Sequence, residues 1–145
     1  LESEVIDALY EASKAGVEID LIIRGVCALR PGVPGLSENI RVRSIIGRFL
    51  EHHRIFYFLA GGREDVYLSS ADWMERNFFK RIELAFPILD PKLKKRVITE
   101  GLKFYLADNQ QGWEMNSQGA YQRRRSSRSK PHNAQGELMV TLGNS

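Results

Sequence analysis

The stretch of residues 17–23 constrains the fold most, because it alternates polar and apolar residues and then becomes continuously apolar. This pattern predicts a strand that enters a buried sheet. A helical pattern over residues 2–15 precedes it, and Gly16 stands where a helix-ending glycine is expected. A unit of helix, glycine and strand favours an α/β fold, with a mixed sheet flanked by helices.

Further short strands and one long helix follow along the chain. Residues 40–46 predict a second strand, followed by a short helical turn through Phe49 and Leu50. Residues 54–59 and 66–69 predict two strands around a turn, and residues 81–86 predict another strand. Asp90 and the proline after it open a helix that runs to about residue 106.

The composition changes after Asp108, where Gln, Gly, Ser and Asn dominate. We therefore divide the chain into a domain over residues 1–108 and a partly ordered, irregular basic tail over residues 109–145 that completes it. A short strand is expected at residues 138–142.

Several classes of protein are disfavoured by composition. No apolar run approaches the ~20 residues of a membrane span, and no export leader is seen, so we expect a cytoplasmic protein. Cys27 is the single cysteine, which excludes an internal disulfide. A net charge of +3 is too small to indicate a general polyanion binder. The chain begins at Leu1 directly in a helical pattern, and we expect it to be part of a longer polypeptide.

The loop after the first strand carries Arg24. In open α/β sheets, ligands collect beyond the carboxyl ends of the strands, so Arg24 is well placed to bind one. Its planar fork of donors suits phosphate oxygens. The alternative is a structural loop whose arginines bond to backbone carbonyls.

Two adjacent histidines, His52 and His53, precede Arg54 and an apolar strand. In an extended segment, residues two apart share a face, so His52 and Arg54 are expected to point together while His53 points away. A histidine beside a guanidinium suits phosphoryl chemistry, since one group can transfer protons and the other neutralises charge. The alternative is a solvated, inert pair of histidines.

Polar residues also cluster at residues 67–77, where two serines are followed by Asp72. They can bind anions or support a site through hydrogen bonds, or they can simply cap a helix. Arg81 and Glu83 lie two apart on the next predicted strand and are expected to share a face. A plain salt bridge is the alternative function of that pair.

The remaining motifs are less informative. A basic run over residues 123–130 could contact a polyanion, although charged tails are often only solvated. No glycine-rich loop of the usual nucleotide-binding kind is present, and no recognised metal-ligand spacing occurs.

Four strings stand out when the segments are taken in chain order. They are IIRGVCALRPGVPGLSENI at residues 22–40, RFLEHHRIFYF at 48–58, VYLSSADWMERN at 66–77 and RIELAFP at 81–87. In this order they closely resemble the C-terminal region of type 1 polyphosphate kinases. The resemblance covers residues 1 to about 142 and is weakest after Asp108.

The resemblance implies a phospholipase D-like half. Such kinases transfer the terminal phosphate of ATP reversibly to polyphosphate, with magnesium, and their site lies between two similar halves. It implies that the phosphorylated histidine and the Mg²⁺ ligands belong to parts of the enzyme that precede this chain, so this chain alone is expected to be inactive and to hold no metal. Arg24 is similar to the family's nucleotide-phosphate arginine, His52 to its second active-site histidine, and Arg81 and Glu83 to a pair that lines the ATP or phosphate site.

The same resemblance implies the partners. They are ATP or ADP, polyphosphate, the remaining domains of one polypeptide and further copies in a homo-oligomer, with no nucleic acid. Peripheral association with the inner membrane stays open.

The sequence departs from the phospholipase pattern of His-x-Lys followed by Asp. Arg54 replaces the lysine, and Ala60 stands six residues beyond it where the acid is expected. This difference argues against a phosphodiesterase half that completes its site by dimerisation. The other competing function is a non-catalytic module that binds a polyanion or nucleic acid, which needs no His52.

Overall fold

A computed structural model describes residues 1–124 and 130–143. The elements in chain order are α1 Ser3–Lys14, β1 Ile19–Ile22, β2 Ile40–Ile45, β3 Ile55–Ala60, β4 Arg63–Ser69, α2 Glu75–Lys80, β5 Ala85–Pro87, α3 Pro91–Ile98, a π-helical turn Thr99–Lys103, α4 Phe104–Ala107, β6 Gly112–Met115, β7 Tyr121–Arg123 and α5 Ala134–Gly143.

The larger sheet has the strand order β1-β2-β6-β7. β1 and β2 are parallel, whereas β6 pairs antiparallel with β2, and β7 antiparallel with β6. Ile40 and Val42 of β2 lie in a core cluster with residues of α1. Ile45 points to the opposite face of the sheet and packs with Tyr105 and Ala134. Helices therefore cover both faces, and the predicted mixed sheet flanked by helices is confirmed.

The first unit of the chain forms as expected. α1 ends at Lys14, and Gly16 has a φ of 87°, a left-handed conformation that glycine adopts without steric cost. The parallel neighbour of β1 is reached through the Gly- and Pro-rich segment of residues 24–39, which contains no strand or helix. The carboxyl end of β1 therefore opens directly into the Arg24 loop.

A second, antiparallel sheet has the order β3-β4-β5. The predicted hairpin of β3 and β4 is confirmed, and its turn contains two glycines with positive φ. Ile55 of β3 contacts the π-helical turn at Gly101, where an added Cβ would lie 2.2 Å from the Ile55 side chain. The strand predicted over residues 81–86 is wrong for its first four residues, because only Ala85–Pro87 pairs with β4.

The long helix begins where the sequence predicts. The Asp90 carboxylate accepts hydrogen bonds from the backbone N–H groups of Lys92 and Leu93, both at 2.8 Å, and Pro91 occupies the first turn. The helical run ends at Ala107, with the π-helical turn in its middle.

The segment after Asp108 is more regular than its composition suggests. It supplies β6 and β7 to the larger sheet, so the expectation of an irregular tail is wrong over these strands. The strand expected at residues 138–142 is also wrong: these residues belong to α5, because Ala134 and Leu138 are one helical turn apart and pack together beside Ile45. Arg125 and Arg128 of the predicted basic run lie outside the described residues.

Within residues 1–124 and 130–143, no helix is both long and apolar enough to cross a membrane.

A buried carboxylate joins the parts of this last segment. Asp108 is 1% exposed. Its Oδ1 accepts hydrogen bonds from the backbone N–H groups of Gln110, Gln111 and Gly112 at 2.9, 2.6 and 3.1 Å. Its Oδ2 accepts from the N–H of Ala134 at 2.7 Å. One side chain therefore fixes the turn into β6 and the first residue of α5.

We predict that Asp108→Asn lowers the free energy of unfolding by about 1–3 kcal/mol, because an amide NH₂ then faces a backbone N–H. Urea unfolding of the 145-residue chain followed by circular dichroism measures the loss. The matched control is Asp7→Asn at an exposed position of α1. An equal, small loss in both variants would contradict the prediction.

Candidate active site

The predicted site residues lie on loops that meet beyond the carboxyl end of β1. Arg24 follows β1 and is exposed, and its Nη1 donates a hydrogen bond to the backbone carbonyl of Glu51 at 2.7 Å. Glu51 directly precedes His52 in the chain. The structure thus brings Arg24 beside the histidine segment, 27 residues later in sequence.

The two histidines point in different directions, as predicted. Arg54 Nη1 lies 3.3 Å from His52 Nδ1 and donates to the His52 carbonyl at 3.1 Å. His53 instead turns its ring toward Tyr105, with ring centroids 5.0 Å apart, and its Nδ1 lies 3.4 Å from Glu51 Oε2. His52 and Arg54 therefore form one unit and His53 belongs to another.

The helical turn expected through Phe49 and Leu50 does not form. The Gln135 side chain of α5 accepts a hydrogen bond from the Phe49 N–H at 3.0 Å and donates to the Phe49 carbonyl at 2.8 Å. Gln135 also donates to Glu51 Oε1 at 2.6 Å. These bonds occupy the backbone groups that a helical turn would need, and they hold the segment before His52 against α5.

Asp72 anchors the arginine of the histidine segment. Arg54 Nε donates to Asp72 Oδ1 at 2.7 Å, and this bond raises the pKa of Arg54. The same bond lowers the pKa of Asp72, and the positive charges of Arg54, Arg24 and Arg76 add to the effect. Asp72 is thus bonded to one guanidinium group and lies in the positive field of two others.

Glu83 is held by a second polar network. Its Oε2 accepts a hydrogen bond from Ser70 Oγ, and its Oε1 accepts from Asn77 Nδ2 at 2.6 Å. These bonds lower the pKa of Glu83, and the charges of Arg81 and Arg54 contribute to the shift. Glu83 is therefore a fixed anion rather than one partner of a simple pair.

The expected shared strand face of Arg81 and Glu83 is wrong, because residues 81–84 leave the sheet. The N–H of Leu84 donates a hydrogen bond to the Ser70 side chain, at 3.0 Å from its Oγ, whereas in a strand it would donate to a backbone carbonyl. Arg81 is exposed, and it acts on Glu83 through its charge.

The polar residues after β4 support the site rather than cap a helix. The residue at the N-cap of α2 is Met74, which makes no capping bond through its side chain. Ser69 accepts a hydrogen bond from the N–H of Ala71 at 3.0 Å, and Ser70 bridges Glu83 and Leu84. This arrangement favours the supporting function over the capping one.

The described part of the basic run is engaged within the fold. Arg123 donates from Nε and Nη2 to the Gln110 carbonyl at 3.2 and 2.7 Å. Arg124 donates to the Leu106 carbonyl at 2.8 Å and lies 3.5 Å from Glu114. These two arginines hold β7 and the helix end in place.

A cavity of about 710 Å³ lies next to Arg24. Its lining is mainly apolar and comes from β2, from the segment that follows β2, and from Trp113 and Tyr121 of the added strands. Ile46, Phe49 and Leu50 expose 60%, 48% and 75% of their surface there. The charged side of the site therefore borders an apolar surface.

Metal binding is not favoured by this set of side chains. Among the described residues, no group of three or more His, Cys, Asp or Glu side chains could hold a metal ion. The two carboxylates of the site, Asp72 and Glu83, are already bonded to Arg54 and to Ser70 and Asn77. The surroundings are cationic, which suits phosphate oxygens and disfavours a divalent cation.

Sequence reasoning underrated the connection between the histidine segment and residues 67–77. Arg54 was expected only to share a face with His52, whereas it also joins His52 to Asp72, 18 residues away. The sequence carries no local signal for this bond, because the bond depends on the pairing of β3 with β4 and Asp72 lies three residues beyond the end of β4.

We predict that Glu83 contributes to stability only while it is ionised. Because folding lowers its pKa, the contribution is present above the ordinary value of 4.5 and is lost as the pH falls through the lower folded value. Urea unfolding between pH 7 and pH 3 should show a smaller acid loss for Glu83→Gln than for the unsubstituted chain. Glu38→Gln, at an exposed position, is the control, and an unchanged acid slope in Glu83→Gln would refute the prediction.

Comparisons with known proteins identify relatives of this chain. The family described as polyphosphate kinase C-terminal domain 2 matches residues 1–135. The chain is 73% identical over 125 residues to the polyphosphate kinase of Burkholderia cenocepacia, which covers 86% of this chain and 18% of that protein. It is 66% identical over 139 residues to the polyphosphate kinase of Paraburkholderia phytofirmans, covering 96% and 20%.

A solved structure shows the same fold. The crystal structure of polyphosphate kinase from Porphyromonas gingivalis matches 99% of this chain and 22% of its own chain, with a TM-score of 0.93 and 45% identity. The chain thus spans about a fifth of the length of the relatives that it matches. With a family match over residues 1–135 and this degree of identity, the chain belongs to the polyphosphate kinase C-terminal domain 2 family.

Proposed function

We propose that this chain supplies one half of the active site of a polyphosphate kinase, which transfers the terminal phosphate of ATP reversibly to polyphosphate. The observation that supports the proposal is the exposed position of Arg24 beside the segment that carries His52; its bond to the Glu51 carbonyl also fits the alternative of a structural loop. The names of the relatives support the reaction class. In this proposal residues 1–108 form the catalytic half and the residues after Asp108 complete it, since β6 extends the same sheet.

Arg24 and His52 have separate tasks in this proposal. Arg24 holds a β- or γ-phosphate oxygen of ATP, and its bond to Glu51 uses one of five guanidinium N–H donors. His52 donates a proton or a hydrogen bond to the phosphate oxygen that leaves. Phosphoryl transfer is accelerated mainly by positioning the reactants and by neutralising charge on the phosphate oxygens. Arg24 and His52 contribute to both.

Arg81 and Glu83 line the same site. The exposed guanidinium of Arg81 is available to a polyphosphate oxygen on the solvent side, and Glu83 keeps Ser70 and Asn77 in place. The nucleophile is a histidine on the preceding half of the enzyme, where it becomes phosphorylated. The chain alone is therefore inactive.

Magnesium, when bound, neutralises charge on the transferring phosphate. Since the side chains of this site do not suit a divalent cation, we place the Mg²⁺ ligands in the remaining domains of the same polypeptide. The other partners in this proposal are ATP or ADP, polyphosphate and further copies of the enzyme. We place the enzyme in the cytoplasm, with peripheral contact to the inner membrane as a question for fractionation.

His52→Ala in the complete polyphosphate kinase is expected to slow ATP-dependent polymer synthesis by about 10²- to 10³-fold, because one donor to the developing charge is lost. Polymer formation from ATP, with circular dichroism to verify folding, measures the effect. The control is His53→Ala, whose ring faces Glu51 and Tyr105. If a folded His52→Ala enzyme keeps polymer synthesis at the rate of the His53→Ala control, His52 has a structural role only.

Arg24→Ala in the same enzyme is expected to raise the ATP concentration needed for half-maximal rate and to slow transfer, because a bonded phosphate oxygen loses its partner. Initial rates over a range of ATP concentrations separate the two effects. Arg30→Ala is the matched control, since Arg30 is an exposed arginine of the same loop. An unchanged response to ATP would overturn the assignment of Arg24.

A further inference from the structure

The ring of His52 faces a group that can only donate hydrogen bonds. Arg54 Nη1 lies 3.3 Å from His52 Nδ1. A guanidinium group has five N–H donors and no acceptor, and it stays protonated at any pH at which proteins are folded. His52 Nδ1 must therefore accept in this contact. In a neutral imidazole with an accepting Nδ1, the proton sits on Nε2.

Arg54 is held so that it keeps this contact. Its Nε donates to Asp72 at 2.7 Å, while the Nη1 that faces the ring also donates to the His52 carbonyl at 3.1 Å. The Arg54 and Asp72 side chains are only 20% and 30% exposed. Turning the guanidinium away from the ring would break the ion pair and the carbonyl bond together.

The neighbouring histidine has a different partner. His53 Nδ1 lies 3.4 Å from Glu51 Oε2, and its ring packs beside Tyr105. Two adjacent histidines of one loop thus face groups of opposite charge, a guanidinium for His52 and a carboxylate for His53.

We propose that Asp72 and Arg54 are positioning residues that fix the His52 ring with its proton on Nε2, so that His52 presents an Nε2–H hydrogen-bond donor to the phosphate. The part about the phosphate rests on the proposed function, whereas the protonated nitrogen follows from the contacts alone. A proton on Nδ1 would point at an N–H of Arg54, which places two donors against each other.

The transfer step balances without a proton from His52. The bond from the γ-phosphorus to the bridging oxygen breaks, and its electron pair stays on the β-phosphate oxygen of ADP. The nucleophile on the partner half forms the new bond to phosphorus. A phosphate oxygen with a second pKa of about 6 carries the resulting charge at neutral pH. His52 Nε2–H stabilises that charge by a hydrogen bond.

The test of the protonated nitrogen is ¹⁵N NMR of the imidazole rings in the labelled 145-residue chain at pH 8. His52→Gln and His53→Gln assign the signals. We expect the form of His52 protonated on Nε2 to exceed the form protonated on Nδ1 by about tenfold or more. Arg54→Met and Asp72→Asn should each reduce the His52 ratio several-fold and leave His53 unchanged.

The matched control is Arg63→Met, which removes an arginine bonded to Asp65 at 2.9 Å on the neighbouring hairpin. This variant should leave both ratios unchanged. Arg54→Lys provides a second variant with a retained cation, and it should also reduce the His52 ratio, since one ammonium group cannot reproduce the fork that binds Asp72 and the ring together. A His52 ring protonated mainly on Nδ1, or a ratio insensitive to all three substitutions in folded chains, would overturn the inference.

The activity of the complete enzyme tests the role in transfer. Arg54→Met and Asp72→Asn should each slow polymer synthesis several-fold, because the Nε2–H of His52 is then no longer fixed toward the phosphate, and Arg63→Met should leave the rate unchanged. Full activity of Arg54→Met and Asp72→Asn in folded enzymes would overturn the role. If NMR shows His52 protonated mainly on Nε2 but His52→Ala keeps full activity, the proposed function is refuted and the protonated nitrogen stays established.

Discussion

The carboxylate of Asp108 holds the rest of the fold to the candidate site. It fixes the turn into β6 and the first residue of α5. The next residue of α5, Gln135, bonds to the backbone of Phe49 and to Glu51. Glu51 in turn accepts the hydrogen bond from Arg24. A series of hydrogen bonds thus links one buried acid, through the C-terminal helix, to the loop that carries His52.

The charges at the site are arranged in two layers. The acidic side chains, Asp72 and Glu83, are occupied by bonds from within the chain, and these bonds lower their pKa values. The guanidinium groups of Arg24 and Arg81 are exposed beside them. Asp72 holds Arg54 in position and Glu83 is bonded to Ser70 and Asn77, whereas Arg24 and Arg81 are exposed to solvent.

Local sequence patterns predicted the parts of the fold that depend on local interactions. Gly16, the Asp90 cap and the β3–β4 turn are such cases, since each is decided by residues next to them in the chain. The misassigned parts depend on contacts between distant residues. Phe49 fails to form a helical turn because Gln135, 86 residues later, bonds to its backbone, and polar composition after Asp108 conceals strands that pair with β2.

The candidate site shows the same division. Spacing placed His52 and Arg54 on one side and His53 on the other, because neighbouring side chains of an extended segment alternate. It could not show that Asp72 completes the unit, since that bond depends on how β4 pairs with β3. The chemical difference between the two histidines lies in this long-range contact. The His52 ring meets a guanidinium that is fixed by the distant Asp72 carboxylate, and the His53 ring lies beside the carboxylate two residues before it, so the pairing of β3 with β4 fixes the partner of His52.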